Sequence, residues 1–149
     1  MPRTKRWMAL TVLLALPLSA CGGSAGKTAA EISPSRVVSV KGSKDLHRVV
    51  LTAQAITRIG LVTVPIRTAP AGAGAAQTVI PYGALIYDAN GATWTYTSVA
   101  PRTYQRSSIT VERVSGDLAY LSKGPQVGTT VVSVGAAELF GTEFFADHE

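Results

Sequence analysis

Side chains able to do covalent chemistry are scarce in these 149 residues: two histidines, His47 and His148, and a single cysteine, Cys21. Nucleophilic catalysis needs a nucleophile, a base and an orienting group fixed against one another. Asp147-His148-Glu149 places acids beside a histidine, but a chain end does not hold three groups still. Neither a Walker-type glycine loop nor H-E-x-x-H occurs. Met1 and Met8 both precede residue 20, so Cu(I) or Ag(I) finds no thioether beyond them. No catalytic residue, metal or cofactor is expected. Trp94, Tyr96, Tyr104 and Tyr120 could form a ligand platform, yet aromatics in short strands ordinarily fill a small core, and that is the expectation. Leu139-Phe140 and Phe144-Phe145 either fold back over the domain or offer a docking patch; fold-back is expected.

Charge narrows the partners. The net charge is +5, from 14 basic and 9 acidic residues. Arg3, Lys5 and Arg6 lie within residues 1–20, which leaves 11 bases against 9 acids and a net charge of +2 beyond them. Nucleic-acid grooves need clustered basic side chains, and no basic run supplies them. Nucleic acid is therefore not an expected partner.

The first twenty residues pair a basic start with the apolar run Trp7 to Leu16, followed by Pro17 and small residues. That is the layout of a secretory signal, and the run is short of the roughly 20 apolar residues of a membrane span. Leu18-Ser19-Ala20-Cys21 resembles the lipobox of bacterial lipoprotein signals. The resemblance implies cleavage before Cys21 and acylation of its sulfur, an anchor in membrane lipid whose strength grows by about 0.8 kcal/mol per buried CH₂. An ordinary secretory signal would instead leave Cys21 a free thiol. Residues 21–45 then read as a lipidated, flexible tether rich in small residues, with Arg36 to Val40 a candidate strand inside it.

From residue 46 to 146 the pattern is short strands and turns. Thr52 can cap a short helix over Ala53 to Ile59, ended by Gly60. Leu61 to Ile66 is a strand candidate that Pro65 confines to an edge or an end. Ala69 to Ala76 lacks bulky side chains and reads as a loop. Asn90-Gly91 predicts a two-residue type I′ hairpin turn between Tyr87 and Thr93. Gly128 and Gly135 are further turn positions, on either side of Thr129 to Val134. Strands at this spacing predict a mainly β chain, a small antiparallel barrel or roll with one short helix.

Three segments carry a family likeness. Val49 to Thr63 resembles the V-x-L-T-x-x-Q-I-x-x-x-G-I/L-x-T segment of periplasmic adaptor subunits, the membrane fusion proteins of efflux systems. Ile80-Pro81-Tyr82-Gly83-Ala84-Leu85-Ile86-Tyr87-Asp88, with Gly91 and Trp94-Thr95-Tyr96, is similar to their V-P-x-x-A-L/V-x-x-D…W/F-V-Y-V. Gly124-x-x-x-Gly128-x-x-Val131-Val132-x-x-Gly135-Ala136 is similar to their G-L-x-x-G-x-x-V-V-x-x-G-A. The order is the family's, but only Arg67 to Thr78 stands where adaptors insert a lipoyl-like half, a helical hairpin and a barrel domain. The resemblance thus implies an isolated membrane-proximal-like domain: a lipid-anchored, non-enzymatic, extracytoplasmic module on a cell membrane beside an efflux transporter. The alternative is a free-standing ligand-binding or cell-envelope lipoprotein.

Overall fold

The structure, a computed structural model, describes residues 33–145 apart from Lys44 and Ala73. Residues 1–32, with the expected signal and Cys21, lie outside the described residues, as does His148.

The chain is mainly β, as its turn spacing predicts, and its strands pair antiparallel in a curled half-barrel sheet. Ten strands form it: β1 (Ser35–Ser39), β2 (His47–Leu51), β3 (Val62–Pro65), β4 (Arg67–Pro70), β5 (Ala76–Pro81), β6 (Ile86–Tyr87), β7 (Thr93–Ala100), β8 (Thr103–Ser115), β9 (Leu118–Lys123) and β10 (Thr130–Val134). The main order is β3-β10-β7-β8-β9-β5-β4. Its two ends, β3 and β4, are consecutive pieces of one extended run through Ile66, whose N–H donates to the Thr129 carbonyl. That run is how so short a chain curls its sheet.

Alternation along the strands makes a core on each side of β7, β8 and β10. Ile66, Ile80, Leu85, Ile109, Leu121 and Val131 fill one side. On the other side Tyr96, Tyr104, Val49, Leu51 and Val132 pack against the helices α1 (Ala53–Ile59) and α2 (Ala136–Phe145). Both cores are built wholly from residues 33–145, which lie in one compact unit.

Four expectations need correction. A second helix, α2, joins the one expected. Ala136, Leu139, Phe140 and Glu143 follow i, i+3, i+4, i+7, the helical apolar period with an acid in it. The strand candidate inside the expected tether forms as β1, paired to β2 from Ser35↔Leu51 to Ser39↔His47, so residues 35–39 are not tether. Ala69 and Pro70 are not loop: β4 and β5 form a hairpin whose tip begins past Pro70↔Ala76, because ladder pairing needs backbone groups rather than bulky side chains.

The fourth correction concerns the Asn90-Gly91 turn. The Gly91 N–H donates to the Asp88 carbonyl at 3.0 Å, and Asp88 N–H donates to the Ala92 carbonyl. Gly91 has φ +79°, while Asn90 is not among the residues with positive φ. The turn therefore spans Asp88–Gly91 and continues into a left-handed glycine, a three-residue hairpin loop rather than a type I′ turn. Asp88 decides this: its Oδ1 accepts from the N–H groups of Asn90 and Ala92, both at 2.9 Å, an Asx arrangement that favours such turns. Gly128 and Gly135 flank β10 with φ +90° and +91°.

Candidate functional site

Three neighbouring strands lay a polar row under α2. Tyr96 on β7 pairs directly with Arg106 on β8. On the other side of β8, Arg48↔Gln105 sets the register with β2, so His47 falls next to Arg106. Glu143 descends onto this row from α2. Its carboxylate accepts from the Tyr96 hydroxyl at 2.5 Å, from Arg106 Nε at 2.8 Å and from the His47 backbone N–H at 3.3 Å. The His47 imidazole Nδ1 stands 3.8 Å away.

Glu143 is 1% exposed and Arg106 7%. A buried charge is tolerated only when paired and hydrogen-bonded, and here both conditions hold. Arg106 donates also to the Asp45 carbonyl, and its guanidinium lies 4.7 Å from the Trp94 ring centroid and 5.0 Å from that of Phe144. Such stacking adds cation–π attraction to the ion pair. Burial, and then the hydrogen bond to Glu143, push the Tyr96 hydroxyl far above its ordinary pKa, so it stays protonated and donating. The result is a clamp: strand side chains and a helix carboxylate saturate one another and fix α2 to the sheet.

Beside the clamp opens a cavity of about 620 Å³, lined by Trp94, Arg106, Phe140, Phe144, Asp88 and Leu46 among others. Asp88 Oδ2 accepts from Trp94 Nε1 at 3.0 Å. That bond, the two turn N–H groups and nearby Arg106 hold the Asp88 carboxyl below its usual pKa despite some desolvation. The cavity joins aromatic walls to the Asp88 carboxylate and the Arg106 guanidinium, the latter already paired with Glu143, which is binding chemistry of the mixed kind small-molecule sites use.

The turn residues Asn90 and Gly91 belong to this region, with Asn90 on the cavity wall. Gly128 and Gly135 lie outside it, and Cys21 lies outside the described residues. Of the aromatics, Tyr96, Tyr104 and Tyr120 are buried, whereas Trp94 lines the cavity. Leu139 folds back completely and Phe140 packs on the core, while Phe145 stays 77% exposed. Sequence reasoning missed His47, Arg106 and Glu143 as partners. Glu143 had a signal, since it occupies a core position of the α2 period. Arg106 had a weaker one, alternating with Tyr104 along β8.

Among the described residues no group of three or more His, Cys, Asp or Glu is placed to hold a metal ion, and no helix is long and apolar enough to cross a membrane. No family model, curated protein or solved structure matches the chain.

Proposed function

We propose that this chain is a lipid-anchored, non-enzymatic, extracytoplasmic module that packs against an efflux transporter in the same membrane, as the membrane-proximal part of an adaptor does. The observation that supports this reading is the meeting of the three adaptor-like segments around β10. The first supplies β2, α1 and β3, the second runs from the end of β5 into β7, and the third contains β10. β10 pairs with β3 at Val131↔Val64 and with β7 at Val131↔Thr97. The turn at Gly83 presses on β10 so closely that a Cβ there would lie 2.6 Å from the Ser133 carbonyl oxygen. Segments scattered along the chain thus behave as one structural unit, and the β4–β5 hairpin closes the gap where adaptors carry their insertions.

The test is co-purification of the tagged chain from detergent-solubilised membranes, with efflux measured in a deletion strain. Recovery of a transporter and weakened efflux are expected. Recovery of none, with efflux unchanged, would sink the adaptor reading.

The cavity beside Trp94 favours a second reading, a free-standing lipoprotein that binds a small molecule. Trp7 and Trp94 are the two tryptophans, so the tryptophan emission comes from Trp94 alone once residues 1–20 are absent. Saturable quenching of that signal by apolar cations, lost in Asp88→Asn, is the outcome this reading requires.

A further inference from the structure

We propose that the β1–β2 hairpin and the adjoining β7–β8 turn form a membrane-docking face whose arginines bind the phosphate groups of anionic phospholipids. No basic run in the sequence shows this face; strand pairing assembles it. Arg36 on β1 is opposite Val50 on β2, and Val50 is opposite Thr103 on β8. Arg48 shares the Val50 face two residues away, directly opposite Val38. Arg102 precedes Thr103, and its carbonyl accepts from the Leu51 N–H at 3.0 Å. Arg36 and Arg102 line one cavity of about 530 Å³ together with Ser33, Ser35 and Thr52. Its lining holds no acid, and the ion pairs among the described residues are those of Glu143. Residues 33–70 carry six basic side chains and one acid, Asp45.

Arg102 supplies an independent observation. It has φ +57° and is the non-glycine residue with positive φ among those described. Pro101-Arg102 connects Ala100 to its partner Thr103, and a positive φ after proline is the place where turns favour glycine or asparagine. Arginine there carries a backbone strain that glycine would not, which singles out the position.

The choice of lipid as occupant rests on the anchor reading of Cys21 given above. Eleven residues lie between Cys21 and Ser33, a span of at most about 40 Å when fully extended. An anchor at Cys21 keeps the arginines within a tether's length of the surface, so they can reach a field that decays within about 10 Å.

The test uses residues 22–149, free of any acyl chain, in co-sedimentation with vesicles of phosphatidylcholine alone or mixed with phosphatidylglycerol. Binding to the anionic vesicles only, weakened by salt, is expected. Arg36→Gln and Arg102→Gly should each weaken it about five-fold. Arg102→Gly should also raise the melting temperature by relieving the turn, so its loss of binding is not a loss of folding. Equal sedimentation with both vesicles, none by the folded chain, indifference to both substitutions, or preference for an oligonucleotide would each overturn the proposal. Any of these leaves the anchor reading standing. That reading fails separately if Cys21 takes no acyl label in cells, an outcome that leaves the vesicle result unchanged.

Discussion

Glu143 and Arg106 illustrate why a buried ion pair is felt most when half of it is removed. Glu143→Leu leaves a buried guanidinium without its carboxylate, a loss of about 3–5 kcal/mol of stability. Arg106→Met in the same chain should recover much of it, and a double-mutant cycle by urea unfolding measures the coupling. Tyr96 adds a pH signature. Its folded pKa is raised, so its contribution is fully present below the ordinary tyrosine value of about 10 and is lost as pH climbs above it. Tyr96→Phe should therefore unfold less steeply with pH on the alkaline side than the parent chain; identical alkaline limbs would remove Tyr96 as the cause. Thr95 gives the opposite sign. It is fully buried and its hydroxyl has no partner, and an unsatisfied buried group costs about 1–3 kcal/mol. Thr95→Val keeps the β-branched shape and should raise stability by about 1 kcal/mol, visible as a higher urea midpoint.

At the scale of elements, two glycines act by different physics. A Cβ at Gly91 would meet nothing within 4 Å, so only its φ of +79° matters. Gly91→Val should cost about 1–3 kcal/mol through backbone strain, whereas Gly91→Asn should be much milder because asparagine tolerates the left-handed region. Gly83 has no such φ; its problem is contact with the Ser133 carbonyl. Gly83→Ala should destabilise by about 1–3 kcal/mol by forcing the turn off β10. Thermal unfolding of the three variants separates strain from overlap: Gly91→Asn near the parent, the other two clearly lower.

For the whole molecule the decisive residue is Cys21. If it carries the acyl anchor, Cys21→Ser should move the protein from the membrane to the soluble fraction once the signal is cleaved, because single weak contacts do not hold a protein to lipid as two or more acyl chains do. Persistence of the cleaved variant in the membrane fraction after a high-salt wash would remove the anchor from the proposal. The docking face above predicts a residual, salt-sensitive association for this variant, which a high-salt wash strips away.

Local chemistry made much of this legible from sequence alone. Thr52 and Gly60 mark α1 because cap and terminator act within a few residues: Thr52 accepts from the Ala55 N–H, and Gly60 takes φ +62°. Strand and turn spacing likewise announces a mainly β chain, since alternation and glycine punctuation are written residue by residue. What tertiary structure decided is what depends on partners distant in the chain. Arg36 to Val40 is a weak strand candidate until β2 pairs with it. Asn90-Gly91 looks like a two-residue turn until the Asp88 side chain claims the neighbouring N–H groups. Glu143 is an acid in an apolar run until β7 and β8 bring Tyr96 and Arg106 beneath it, 47 and 37 residues away in sequence. No local pattern specifies such a contact, because the free energy that makes a buried carboxylate tolerable comes from groups that only the folded sheet places together.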